Sequence, residues 1–137
     1  MRILGLDVGS KRIGLALSDE LLLTAQGLQS LERKDLEADL KAIADLITAN
    51  GVVEVVAGLP LNMNGTESKQ TKEVREFIVD LTEAVSVPVK AWDERLTSVQ
   101  AERAMLEADL SRAKRRKLSD KVAAQLILQS YLDARKR

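Results

Sequence analysis

Apolar positions along the chain follow two rhythms. Residues 2–8 (RILGLDV) and 12–18 (RIGLALS) are short, almost continuously apolar runs parted by Gly9, Ser10 and Lys11, which predicts a β-hairpin. The stretch LLLTAQGLQSL supplies a third strand. In KDLEADLKAIADLITANG the rhythm changes: Leu36, Leu40, Ile43 and Ile47 recur at i, i+4, i+7 and i+11, with Asp35 as N-cap and Asn50-Gly51 as the stop. That spacing predicts an amphipathic helix. VVEVVAGLPL then reads as a buried strand, and Glu67 to about Ala84 as a helix with Val74, Phe77, Ile78 and Leu81 inward and Thr66 as its cap. VPVKAW is a further short strand. A helix follows from about Ser98, where Thr97 and Gln100 have capping-box spacing. After a basic linker, SDKVAAQLILQSYLDARKR forms the final helix.

The predicted order is therefore βββαβαβαα within one domain spanning residues 1–137. Strands that return to one sheet after a helix do so by right-handed crossovers, so the later strands run parallel to the first. The expectation is an α/β fold on a five-stranded mixed sheet, three strands antiparallel and then two parallel, flanked by helices. This order resembles the ribonuclease H-like plan.

Asp7 does not fit a purely structural strand. Burying an unpartnered carboxylate costs several kcal/mol on the order of transfer estimates, so something must compensate. Its face of the strand carries Ile3 and Gly5, and the neighbouring strand offers Gly14, Ala16 and Ser18, small residues that leave room for a ligand or for a close helix. A structural alternative is an Asx-turn onto the amides of DVGSK. A second acid-rich point is WDERLTS, where Asp93, Glu94 and Arg95 separate a strand from a helix N-terminus. Such a corner can hold a metal and a phosphate, or it can merely favour the helix dipole. The third acid, Asp120, is read as standing at a helix start, on the stripe of Ala124, Ile127, Leu128 and Tyr131.

Composition narrows the chemistry. The 137 residues contain no cysteine and no histidine, so thiolate nucleophiles, Ser-His-Asp triads and His- or Cys-ligated zinc are excluded. Carboxylates from three separated segments are instead the hard-oxygen ligands that Mg2+ or Mn2+ prefers. Asp7, the Asp93-Glu94 pair and Asp120 are therefore the candidate metal-binding carboxylates, and ions held by such a set can support phosphodiester hydrolysis. With 45% apolar and 31% charged residues, and no apolar run near the roughly 20 that a membrane helix needs, the expectation is a cytoplasmic protein without membrane association.

Net charge is zero, with 21 basic and 21 acidic side chains, so a nucleic-acid partner requires locally concentrated positive charge. Lys11 and Arg12 follow Asp7, Arg95 follows Glu94, and Arg112, Lys114, Arg115, Arg116 and Lys117 precede Asp120. These are the candidate substrate-binding residues, placed to meet phosphates of RNA or DNA. The loop GLPLNMNGTES has the Gly, Pro and Asn content of a shaped turn.

In the order GLDVGSKRIGLALSD, VAGLPLNMNGTES, DERLTS and KLSDKVAAQLILQSYLD, the chain resembles the YqgF, or RuvX, proteins of bacteria over nearly its whole length. The resemblance implies a ribonuclease H-like fold with an acidic metal site at Asp7, Glu94 and Asp120, with Asp93 as a neighbour. It also implies a nuclease that matures the 5′ end of pre-16S rRNA or processes branched DNA resembling Holliday junctions. Resolving a junction takes paired active sites, hence a homodimer. The sequence departs from that family at Asn64, where aspartate is common.

Two other readings belong to different classes. LDVGSKRIGLALSD also resembles the phosphate-binding hairpin of sugar kinases, actin and Hsp70-type ATPases, but those proteins close two lobes over ATP and this chain has residues for one. A non-catalytic nucleic-acid module in RNA processing or transcription would keep the fold without cutting.

Overall fold

The computed structural model describes residues 1–96 and 112–136, with side chains of the second segment from residue 122 onward. Strands β1 (Arg2–Val8), β2 (Arg12–Ser18) and β3 (Ala25–Glu32) are followed by α1 (Leu36–Asn50), β4 (Val52–Leu59), α2 (Lys69–Ala84) and β5 (Val89–Asp93). A single 3-10 turn spans Glu94–Leu96, and helix α3 runs over Arg112–Arg135. The helix expected from Ser98, with its Thr97 and Gln100 cap, lies outside the described residues.

The local signals act where expected in α1. Asp35 accepts a hydrogen bond from Ala38 N at 2.8 Å, and Gly51 closes the helix with φ of 61°, a conformation that favours glycine. In α2 the cap is Ser68, not Thr66: Ser68 and Thr71 form a reciprocal capping box, while Thr66 is consumed inside the preceding loop. The basic run expected as a linker is helical, because Arg, Ala, Lys and Leu are strong helix formers with no breaker among them. Asp120 consequently lies within α3 rather than at its start.

The five strands form one sheet in the order β3-β2-β1-β4-β5. β1–β2 and β2–β3 pair antiparallel, while β1–β4 and β4–β5 pair parallel. Alternation along the strands gives the sheet two different faces. Leu4, Leu6, Val8, Ile13, Leu15 and Val55 pack against Ile43 and Ile47 of α1 and Val74, Phe77 and Leu81 of α2. Ile3, Ala16 and Val56 face the other way and meet Ala124, Leu128 and Leu132 of α3.

Helix α3 lies unusually close to the sheet. A Cβ on Gly5 would stand 2.8 Å from Leu128 Cβ and 3.3 Å from Ala124 O, so the backbone of β1 and the helix leave no room for a methyl group. Gly5→Ala is accordingly expected to lower stability by about 1–3 kcal/mol in denaturant unfolding, the usual range for overpacking.

The far end of α3 is tied down by polar contacts. Glu54, buried on β4, receives Tyr131 Oη at 3.0 Å and Arg135 Nη1 at 2.9 Å, and pairs with Lys90 Nζ at 2.6 Å. The hydrogen bond from Lys90 to Glu54 raises the lysine's pKa above its ordinary value. Gln129 joins α3 to the β2–β3 loop through Ala25 N and Leu23 O, at 2.9 and 3.0 Å. Because Ile127 meets Gly58 near the C-terminal end of β4 and Tyr131 meets Glu54 near its start, α3 runs antiparallel to β4 and β1.

Candidate active site

The same alternation that buries Ile3 and Gly5 under α3 turns Asp7 toward that face, where it is 9% exposed. Its antiparallel partner is Gly14, which has no side chain to cover it. On the other flank, β1 and β4 pair through Leu6 and Ala57, so one step further along Asp7 lies beside Gly58. β5 pairs Trp92 with Gly58 and Asp93 with Leu59, and Glu94 follows directly. A Cβ on Gly58 would stand 3.1 Å from both Glu94 Cγ and Glu94 Oε1, and 2.5 Å from Ile127 Cδ1. Glu94 thus folds back across the bare backbone of Gly58, and Asp7 and Glu94 flank that glycine.

Asp93 does something else. Its carboxylate receives Arg95 Nη2 at 2.7 Å, Arg95 Nε at 3.1 Å and Arg95 N at 2.9 Å. The Arg95 guanidinium holds the Asp93 carboxyl below the usual aspartate range, and the pairing raises the pKa of Arg95. Arg95 Nη1 also donates to Met63 O at 3.3 Å, so this side chain fastens the loop between β4 and α2 to the end of β5.

Among the described residues, no three acidic side chains form a group able to hold a metal ion. Asp7 and Glu94 are the two predicted acids that the described structure brings together; the side chain of Asp120 lies outside it, as do those of Arg112, Lys114, Arg115, Arg116 and Lys117. Lys11 is exposed in the β1–β2 turn, and Arg12 approaches Glu32 at 3.9 Å. A cavity of about 370 Å³ lined by Gly9, Arg33, Lys69 and Glu73 opens on the α1/α2 side, away from the face that carries Asp7.

Sequence reasoning missed the task of Gly58, which it read as part of a loop. The available signal was a glycine inside a buried apolar run, which marks a close approach by other atoms. It also missed that Asp93 and Arg95 pair with each other.

A sheet of this order, with an acid on its central strand and a helix laid across that face, defines the ribonuclease H-like class. RuvC of T. thermophilus, solved in complex with a Holliday junction substrate, shares the fold with a TM-score of 0.61 at 16% identity, over 99% of this chain and 96% of that one. The Fowlpox virus resolvase, solved with Holliday junction DNA, gives 0.57 at 15% identity, over the full length of both chains at 100%.

Residues 1–134 match the family described as "RuvX: Holliday junction resolvase", and the chain belongs to that family. A relative from Clostridium acetobutylicum is 55% identical over 98% of this chain and 99% of its own length. One from Moorella thermoacetica is 56% identical over 97% of this chain and 95% of its own. Both carry the name "Putative pre-16S rRNA nuclease". Among the described residues, no helix is long and apolar enough to cross a membrane.

Proposed function

We propose that this chain acts as a single-domain, metal-dependent nuclease in the cytoplasm, hydrolysing phosphodiester bonds in the maturation of pre-16S rRNA. The observation that carries this reading is the placement of Asp7 and Glu94 on either side of Gly58, on one face of the sheet. The names of the relatives supply the substrate class.

Asp120 is the third member. Ala124 lies over Gly5, and α3 runs antiparallel to β1. Four residues back along a helix is about 6 Å, and two residues forward along a strand is about 6.6 Å, so the backbone at position 120 comes level with Asp7. This matched stepping supports one site built from β1, β5 and α3.

The donor chemistry fits Mg2+ or Mn2+: the acids offer hard oxygens, and the chain contains no histidine or cysteine. Asp7, Glu94 and Asp120 would hold the ion. When bound, a divalent ion neutralises charge at the phosphate and lowers the pKa of water. The chain's own work is positional. Gly58 gives Glu94 space to lie flat, the sheet fixes Asp7, and partial burial keeps both carboxylates in a setting where their charge is weakly screened.

Phosphates outside the site are met by Lys11 and Arg12 at the β1–β2 turn and by Arg112, Lys114, Arg115, Arg116 and Lys117 on the first turns of α3. Arg95 is already engaged by Asp93 and Met63 O. Replacing Arg115 and Arg116 together by alanine is expected to weaken RNA binding and to flatten its log-log salt dependence, by about 0.7 per lost contact on single strands and 0.9 on duplex. Cutting at saturating substrate stays near wild type. Titration at several salt concentrations checks this.

The function is tested by offering a pre-16S RNA fragment and a four-way DNA junction of matched length, each with Mg2+, with Mn2+ and with excess chelator. Cleavage of the RNA that is abolished by chelation and by Glu94→Gln or Asp120→Asn supports the reading. Cutting unaffected by chelator, or retained in both variants, overturns it. A single strand is trimmed by one site, whereas cleavage of the junction calls for a homodimer, so mass in solution accompanies the assay.

A further inference from the structure

The loop between β4 and α2 is built as a rigid platform. Asn62 N donates to Thr66 O at 3.0 Å and Asn62 Nδ2 to Thr66 Oγ1 at 2.9 Å, while Asn64 Oδ1 accepts from Thr66 N at 3.1 Å and from Thr66 Oγ1 at 2.7 Å. Gly65 N closes the turn onto Asn62 O at 2.8 Å, with φ of 86°. Thr71 Oγ1 anchors the base of the loop at Pro60 O. Arg95 then fastens the tip, donating to Met63 O, and a Cβ on Gly65 would stand 3.3 Å from Arg95 Nη1.

What this platform displays is an apolar side chain. Met63 is 75% exposed although its carbonyl is pinned to Arg95, the residue after Glu94. Leu21 and Leu23, also exposed, lie in the β2–β3 loop at the opposite end of the sheet from Asp7. The chain has one Trp, one Tyr and one Phe, and each is committed to packing. Trp92 and Tyr131 stack edge to face at 5.3 Å, and Phe77 lies under Arg33 at 5.1 Å. No aromatic ring is left to stack on a base, so a base contact here would fall to an aliphatic group.

We infer that Met63 is an apolar wedge that contacts a nucleobase next to the phosphodiester cut at the site of Asp7 and Glu94. The inference rests on the nuclease reading and adds to it a specific base contact. Apolar side chains, methionine among them, insert between base steps and unstack them. A long, unbranched, polarizable side chain suits bases of any identity, so the contact selects for unstackable nucleotides rather than for sequence. The loop's internal hydrogen bonds remove the ordering cost that a floppy tip would incur on binding.

The test uses the full chain carrying Asp7→Asn, which is expected to bind without cutting. The probes are hairpin RNAs with a 5′ single-stranded tail, each bearing 2-aminopurine at one position around the hairpin–tail junction. Binding is expected to raise fluorescence at least about 3-fold at one position, as that base loses its stacking neighbour. Adding Met63→Ala should abolish the rise and weaken binding by about 3- to 10-fold with the salt slope unchanged, since the lost contact is uncharged. Met63→Leu should restore both. If Met63→Ala leaves fluorescence and affinity as in the parent, or alters the salt slope, the wedge is overturned while the nuclease reading stands. If the Asp7→Asn chain binds none of the RNAs, both fall together.

Discussion

Asp7→Asn is expected to reduce cleavage on the order of 10³-fold while leaving the melting temperature at or above that of the wild type. The two effects have one cause. Asp7 and Glu94 flank Gly58 on the same sheet face, so two carboxylates are brought to one point, where like charges repel. An asparagine of nearly the same shape keeps the strand packing and removes one charge. A relief of about 1 kcal/mol would raise the melting temperature by roughly 3–5 °C in a domain of this size. Metal should reverse the order, stabilising the wild type more than the variant. Thermal denaturation with and without Mg2+, run beside a single-turnover assay, reads all of this. An Asp7→Asn chain that melts well below wild type in chelator would mean that Asp7 holds the fold together.

Gly58→Ala should also lower turnover, by up to about 10²-fold, although Gly58 offers no chemical group. Its new Cβ would stand 2.5 Å from Ile127 Cδ1 and 3.1 Å from Glu94 Oε1. The tip of Ile127 can shift at modest cost, about 1–3 kcal/mol of stability. Glu94 must give by a few tenths of an ångström, and if it acts in the site as proposed, misplacing it lowers the rate, a full ångström costing on the order of 10²-fold. Substrate affinity, set largely by phosphate contacts elsewhere, should change far less. A fall in single-turnover rate with an unchanged dissociation constant is the expected result, and equal loss in both would show that Gly58 serves the fold alone.

How far the sequence could be read depended on how local each determinant was. β1 and β2 were legible to the residue because their apolar runs are bounded by Gly9 and Lys11 and need no distant partner to be recognised. The α1 cap at Asp35 and stop at Gly51 were equally local. Two misreadings came from competition between neighbours. Thr66 has the right chemistry to cap α2, but its hydroxyl is taken by Asn64, leaving the cap to Ser68 two residues later. The basic run before Asp120 looks like a linker by charge, yet its intrinsic helix preference extends α3 back to Arg112. Glycine tasks were the least legible. Gly5 and Gly58 are required by Leu128 and Ile127, which follow more than sixty residues later and touch them only in three dimensions. For the same reason, Arg95 could be read as a phosphate ligand but not as the fastener of Met63.

The crossing of α3 also dictates an order of events during synthesis. Every strand and both helices of the α1/α2 face precede α3, so that half of the protein can assemble while the last 24-residue helix is still unmade. Until α3 emerges, Ile3, Ala16 and Val56 lack the Ala124, Leu128 and Leu132 that pack on them in the finished chain, on the face that also carries Asp7. Gln129, Tyr131 and Arg135 then close contacts with residues synthesised 77 to 106 positions earlier. A chain halted before Arg112 therefore lacks the helix residues that pack on this face in the finished protein. The second core is complete only when this final helix settles on the sheet.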